Sequence, residues 1–309
     1  MSTLVAISTF LLIFIGGLVS STGSGLSVPD WPNTYGHFMF SFPLAKMVGG
    51  ILYEHGHRMV ASVVGLFMTI FAVWLWFKEK RKWVKWLGLA ALLAVILQGV
   101  LGGLTVLYLL PTSVSVLHGC LAQGFFMLTV ALFLFTSKDW IMNTHSLKDE
   151  HTLKTFYLTT ATTFVIYIQL ILGAIMRHSG AGLAIPDFPL AFGKIIPPFS
   201  TQAIMIHFLH RVGAVVVTFF ILWTALTIMR RYRAEQKLMR PAYTLVAALV
   251  FQIYLAAFTI WSRKAVVPTT AHVANGAFIL GTSLFLNLRV FQLTHFNKRQ
   301  KISYEKTIY

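Results

Sequence analysis

Four histidines stand in a pattern that could hold iron in a flat macrocycle. His57 lies in Glu54-His-Gly-His-Arg58 and His118 in Leu117-His-Gly119. His210 lies in His207-Phe-Leu-His-Arg211 and His272 in Ala271-His-Val273. The third motif follows the first by 153 residues and the fourth follows the second by 154, so the set reads as two matched pairs. Iron in a porphyrin takes one axial ligand on each face, and neutral imidazole is a good one. Zinc usually wants three or four ligands, often with cysteine or carboxylate. The chain has one cysteine, Cys120, which excludes an intramolecular disulfide and any cysteine cluster within the chain. Each pair has one further candidate a turn earlier, Glu54 or His207, so haem fits the twofold pattern better than zinc. A lone histidine at a helix end is more often a hydrogen-bonded structural residue than a ligand; the repetition sets these four apart. His37, His55, His145, His151, His178 and His295 lack that support and are read as loop or surface residues. His55 is close to His57 in sequence but does not share its helix face.

The neighbours of the histidines suggest roles without fixing them. Glu54 and His57 are three residues apart and share a helix face. A carboxylate there could orient a ligand or move a proton at a substrate. It could also be a simple acid near a helix N-terminus, favourable to the dipole. The matching position in the second half is His207, so the halves are not equivalent. Arg58 and Arg211 follow the candidate ligands. Guanidinium suits bidentate pairing with carboxylates such as haem propionates, and it also serves as an interfacial anchor that snorkels outward.

The elements that position these residues are membrane helices. Of 309 residues 57% are hydrophobic and 11% charged, with a mean hydropathy of +0.73. Soluble domains carry roughly 25% charged residues, so lipid must solvate most of this chain. Apolar runs predict spans near 3–20, 53–77, 84–109, 115–136, 153–176, 202–229, 241–262 and 269–292. The first run lacks a basic lead and a cleavage site and is read as a retained span, not a signal peptide. Pro111 and Pro268 sit just before spans four and eight, and Pro241 opens span seven, where proline is tolerated. The 25 Lys+Arg against 9 Asp+Glu would suggest nucleic acid in a soluble protein. Here no nucleic-acid-binding motif accompanies them. They concentrate in short loops: 78–85, 230–240 and the tail from Lys298 to Lys306. The loop after span four is mixed in sign, and loops 21–52, 177–201 and 263–268 are poor in lysine and arginine. The positive-inside rule then places both termini in the cytoplasm. His57, His118, His210 and His272 each begin an outside-to-inside span, at one depth near the outer leaflet.

The chain is internally duplicated. Thr22-Gly-Ser-Gly-Leu-Ser-Val-Pro-Asp-Trp-Pro32 matches Ser179-Gly-Ala-Gly-Leu-Ala-Ile-Pro-Asp-Phe-Pro189, and Gly16-Gly17 matches Gly173-Ala174, both at an offset of 157. With the histidine motifs, four matches run in order at nearly one spacing. An even-numbered unit repeats in the same direction across the bilayer, so the pseudo-twofold axis lies along the membrane normal. The fold expected is all-α and membrane-integral: eight transmembrane helices in two pseudo-twofold-related four-helix bundles, residues 1–140 and 141–309. Gln98, Gln169 and Gln252 are read as interhelical hydrogen-bond partners. Cys120, two residues past His118, is read as a small packing residue.

These motifs resemble haem A synthase, a cytochrome oxidase assembly factor. The resemblance rests on the duplicated halves, Glu-x-x-His-Arg opening span two, histidines opening spans four, six and eight, and the Gly-x-Gly-Leu-x-x-Pro-Asp-x-Pro loops; it covers roughly residues 5–290. It implies oxidation of a methyl substituent of haem O to a formyl group by successive hydroxylations and loss of water. It also implies substrate haem between His57 and His118 with Arg58 nearby and Glu54 essential to the chemistry. The second half would hold a haem B cofactor between His210 and His272, with His207 and Arg211 beside it. The implied partners are haem O, the lipid bilayer, an electron donor and a haem O synthase; pairs such as Gly102-Gly103 leave room for a homo-oligomer. The setting implied is a prokaryotic cell membrane. Many members carry a cysteine pair in the first outer loop; loop 21–52 has none. A dihaem electron-transfer cytochrome would use the same histidines but leaves the one-sided Glu54 unexplained. A transporter would show interrupted spans and polar groups at mid-membrane, whereas here they cluster at the outer ends.

Overall fold

The computed structural model describes residues 1–142 and 150–295. His145 and the basic tail from Lys298 onward lie outside the described residues. Eight helices among those described are long and apolar enough to cross a membrane. They are α1 (Ser2–Ser21), α2 (Gly50–Lys78), α3 (Lys82–Leu107), α4 (Thr112–Phe135), α6 (Glu150–His178), α7 (Gln202–Arg231), α8 (Gln236–Trp261) and α9 (Val266–His295). A short helix that the sequence did not announce, α5 (Lys138–Met142), follows α4. No strand occurs among the described residues, only the isolated bridges Thr34–His37 and Ala191–Lys194. Large apolar side chains such as Phe77, Trp86, Val215 and Val250 stay exposed along the helices. That arrangement suits a hydrocarbon solvent, where only a helix satisfies its own backbone.

Two prolines sit differently from expectation. Pro241 lies inside α8 instead of opening it. The helix starts earlier because Leu238 and Met239 are buried and Lys237 pairs with Asp139 at 2.5 Å, which holds the first turn against α5. Pro268 is the third residue of α9 and does not precede it. A first-turn N–H has no helical partner, so proline costs nothing there. Pro111 is, as expected, the residue before α4.

In each half the four long helices close into a ring. α1 packs on α2 and α4, and α3 packs on the same two; α6 to α9 repeat the scheme. The halves meet where α4 touches α6 and α9, and α1 touches α9. Exchanging each helix for its counterpart maps this seam onto itself. Its middle is apolar, with Ile13, Phe126, Val130 and Ala277 in one cluster. Tyr167 donates its hydroxyl to the Cys120 carbonyl across it, 3.1 Å. At the end of the seam near the long loops Arg177 of α6 donates to Ser20 Oγ (2.6 Å), Ser21 Oγ (2.9 Å) and the Gly17 carbonyl (3.0 Å) of α1. At the opposite end Asp139 joins α5 to both Lys237 and Arg289, the latter at 2.6 Å.

Gly281 of α9 fixes how closely the halves approach, because an added Cβ would sit 2.8 Å from the Phe126 ring. Gly281→Val should therefore push the seam apart and cost about 1–3 kcal/mol, as overpacking does. Heat denaturation of the purified protein in detergent should show a lower midpoint; an unchanged midpoint would mean that the seam adapts freely.

Candidate haem-binding sites

Each of the four histidines sits roughly two turns in from the N-terminal end of its helix. Three of them rest on a glycine of the neighbouring helix. A Cβ added at Gly16, Gly102 or Gly173 would lie 3.1, 3.2 or 3.1 Å from Cε1 of His57, His118 or His210. The fourth counterpart, 154 residues beyond Gly102, is Ala256. The glycines let these three rings approach the adjacent helix closely, and Gly16 and Gly173 are the pair that the repeat singled out.

The ring nitrogens meet few protein partners. His57 Nδ1, His118 Nδ1 and His272 Nδ1 are buried without one. The three glutamines expected to bridge helices bridge specifically to histidines. Gln98 Nε2 lies 3.3 Å from His118 Nε2 and donates to the His118 carbonyl at 3.0 Å. Gln252 treats His272 in the same way, at 3.4 and 3.1 Å. Gln169 Nε2 lies 3.1 Å from His210 Nδ1 and donates to the His210 carbonyl at 2.8 Å. No group of three His, Cys, Asp or Glu side chains comes together among the described residues. Buried imidazole nitrogens in pairs, cradled by glycine, suit axial ligation of haem better than a closed cage of ligands.

Over the histidines each long loop is clamped by the helix that carries the first histidine of its half. Arg58 Nη1 donates to the carbonyls of Asp30 (2.7 Å) and Asn33 (3.1 Å), and Nη2 to the Val28 carbonyl (2.8 Å) and to the carboxylate oxygen Oε1 of Glu54 (2.7 Å). Arg211 Nη1 donates to the Leu190 carbonyl (2.8 Å), and Nη2 to those of Asp187 (2.7 Å) and Ile185 (3.2 Å). Each acceptor pair is 157 residues apart. Both guanidiniums are thus engaged with backbone carbonyls of the Pro-Asp-x-Pro loops, a task that sequence reasoning did not foresee. The loop N–H groups answer from above. Val28 N–H donates to Glu54 Oε2 at 2.8 Å, and its counterpart Ile185 N–H to His207 Nδ1 at 3.3 Å. Glu54 and His207, each 3% exposed, therefore occupy equivalent places under equivalent loops.

His55 is not the surface residue it was expected to be. It is 1% exposed, and its Nδ1 lies 3.0 Å from Thr34 Oγ1. The second half replaces this polar pair with Phe208 and Ala191, which pack together. Periodicity could not reveal the pairing, because the partner comes from an irregular loop. His37 and His151 are exposed, as expected.

The match to known proteins follows the same frame. The family model described as cytochrome oxidase assembly protein matches residues 1–284. The chain belongs to the cytochrome oxidase assembly protein family. Among curated relatives it is similar to the heme A synthase of Alkalihalophilus pseudofirmus, with 26% identity over 298 residues, 95% of this chain and 97% of that one. It is 28% identical over 261 residues to the heme A synthase of Listeria monocytogenes, covering 81% of this chain and 80% of the other. The heme A synthase of Halalkalibacterium halodurans is 28% identical over 232 residues, 74% and 76% of the two chains. This family member is a multi-pass membrane protein whose family points to haem chemistry.

The loops themselves are tied by one aspartate each. Asp187 accepts N–H bonds from Phe192 and Gly193, both 2.8 Å, which hold its carboxyl below the usual carboxylate range. For Asp30 burial pushes the pKa up, but the N–H groups of Gly36 (2.9 Å) and Tyr35 (2.8 Å) outweigh it, and the net shift is also downward. A depressed folded-state pKa means that the aspartates order the loops fully above the unfolded value of 3.8. That contribution is lost as pH falls through the lowered pKa. Pepsin cleavage within 21–52 and 177–201 should therefore stay slow near pH 4 and accelerate as the pH is lowered further. Asp187→Asn should make the second loop labile already at pH 4; equal cleavage of variant and wild type would refute the tie.

Proposed function

We propose that this protein is a haem A synthase: it oxidises a methyl group of haem O to formyl by successive hydroxylations, giving haem A for cytochrome oxidase. The observation that carries this reading is two pairs of half-buried histidines at matched positions, three of them cradled by glycine, in halves that differ at the residue beneath the loop. Family membership and curated relatives named heme A synthase along most of their length support it. The carbon passes from methyl to hydroxymethyl to a geminal diol, which loses water to leave the aldehyde. Each hydroxylation replaces a C–H bond with C–OH, a two-electron oxidation of that carbon that would need an external oxidant such as dioxygen, whose second oxygen atom leaves as water with two electrons from the donor and two protons.

In this reading residues 1–140 form the substrate half, with haem O held between His57 and His118. Residues 141–309 form the cofactor half, with haem B held between His210 and His272. Bound haem B supplies one-electron transfer; the chain's own residues supply position and charge. Glu54 is the catalytic carboxylate of the substrate half. Its charge is set between the Arg58 guanidinium and the Val28 N–H, on the same helix face as His57. His207 takes the equivalent place in the cofactor half as a neutral capping group. Arg58 and Arg211 serve their sites by holding the loops that cover them. The sites face the outer side of a prokaryotic cell membrane, both termini lie in the cytoplasm, and haem O enters from the lipid or from a haem O synthase. An electron donor completes the cycle.

The test is chromatography of haems extracted from cells that make this protein with a source of haem O. Haem A or its hydroxymethyl precursor should appear only when the protein is present; haem O left unchanged would overturn the proposal and favour an electron-transfer cytochrome. Glu54→Gln keeps an acceptor for the Val28 N–H but removes the charge. It should retain bound haem and a protease-resistant first loop while conversion falls about 100-fold or more, the scale of a lost proton-transfer group. Wild-type conversion in that variant would remove Glu54 from the chemistry.

A further inference from the structure

The two halves differ in how firmly they hold their histidines, and the difference is built from compensated pairs. In the second half Gln169 reaches His210, and it fits because residue 213 is glycine: a Cβ there would collide with Gln169 Oε1. The counterparts in the first half are Leu12 and Val60, at offsets of 157 and 153. Both pack into the apolar cluster of that half. A glutamine beside a glycine has thus been exchanged for a leucine beside a valine, with filled space in both halves. In consequence His57 makes no ring hydrogen bond among the described residues, and its Nδ1 is buried bare.

The second pair of ligands shows the same grading. Gln252, which holds His272, is itself held: Asn275 Nδ2 donates to Gln252 Oε1 at 2.7 Å and to the Ala248 carbonyl at 2.9 Å. The counterpart of Asn275 is Leu121, and Gln98 Oε1 is left buried without a partner. In the second half both histidines therefore meet a glutamine, Gln169 at Nδ1 of His210 and Gln252 at Nε2 of His272, and Gln252 is held in turn by Asn275, while Gln169 Oε1, like Gln98 Oε1, is buried without a partner. The first half has one ligand supported through a single amide and one not supported at all. Groups that bond a ligand's free ring nitrogen fix its tautomer and orientation, and removing them typically costs 10–100-fold in metal affinity.

We propose that Gln169 is the positioning residue that locks His210 as a permanent axial ligand, and that its replacement by Leu12 makes His57 the releasable ligand of the first half. This rests on the reading of the histidine pairs as haem sites. It gives that reading a physical basis for which half keeps its haem and which turns it over. Gln169 Nε2 lies against His210 Nδ1 at 3.1 Å and donates to the His210 carbonyl at 2.8 Å, so one amide meets both the ring and the backbone of that residue. His57, with Gly16 against its Cε1, has no ring hydrogen bond among the described residues to hold it in one orientation.

The test exchanges the pairs in the purified full-length protein. Gln169→Leu with Gly213→Val gives the second half the packing of the first. Leu12→Gln with Val60→Gly does the reverse. Two readouts apart from activity are the rate of haem transfer to apomyoglobin and the binding of carbon monoxide to the reduced haem. The first exchange should release second-half haem about 10–100-fold faster and open it to carbon monoxide, and the second should slow first-half release by a similar factor. Rates within about twofold of wild type in both exchanges, with carbon monoxide binding unchanged, would overturn the proposal. If the first exchange fails to fold, the second decides alone. A wild-type protein that takes up no low-spin haem would instead overturn the haem reading itself.

Discussion

An imidazole nitrogen buried among apolar helices must be paired or must await a ligand, since leaving it bare costs about 1–3 kcal/mol. Three of the four rings bury such a nitrogen, at Nδ1 of His57, His118 and His272, an expense that the rest of the molecule is arranged to meet. Glycines at 16, 102 and 173 remove the Cβ atoms that would keep the rings from the neighbouring helix. Glutamines at 98, 169 and 252 reach across from adjacent helices to three of the four. The helix ring in each half brings those neighbours together, and the long loops close above them. Remove the rings, and the glycines, the glutamines and the clamped loops lose their common purpose.

Duplication supplies the scaffold, and divergence at a few positions supplies the difference in task. The loop clamp is repeated almost atom for atom: Arg58 and Arg211 take equivalent carbonyls, and Asp30 and Asp187 take equivalent N–H groups. Beneath that shared frame Glu54 faces His207, the His55–Thr34 pair faces Phe208–Ala191, and Leu12–Val60 faces Gln169–Gly213. Each exchange changes polarity while keeping the packing filled. The first half has the carboxylic side chain and the histidine without a ring partner, His57; the second has an imidazole in place of the carboxyl and a glutamine against each of its two histidines. That division suits a half that works on its haem beside a half that keeps one.

Much of this was legible in the chain itself. Long apolar runs announced the eight spans, since a membrane helix needs only length and the absence of charge. The repeat paired the histidines before any geometry was known. The glutamines were recognisable as polar groups needing partners, although the partners' identity depends on how α3, α6 and α8 pack. The work of Arg58 and Arg211 was not legible, because backbone carbonyls leave no mark in sequence. The same holds for His55, whose partner Thr34 lies in an irregular loop. The starts of α8 and α9 were misplaced because proline was treated as a boundary, while buried Leu238 and Met239 and the pairing of Lys237 with Asp139 extend α8 past it.

The central claim is that haem is held by histidine pairs, one pair in each half, with the cofactor in the second. Its most direct test is the haem content and low-spin absorption of purified His57→Ala and His272→Ala proteins, measured side by side. The account predicts that His57→Ala keeps a stoichiometric low-spin haem B and that His272→Ala loses it. A low-spin haem B that survives in His272→Ala but disappears in His57→Ala would contradict the assignment of the halves, and one that survives in both would contradict the paired ligands altogether.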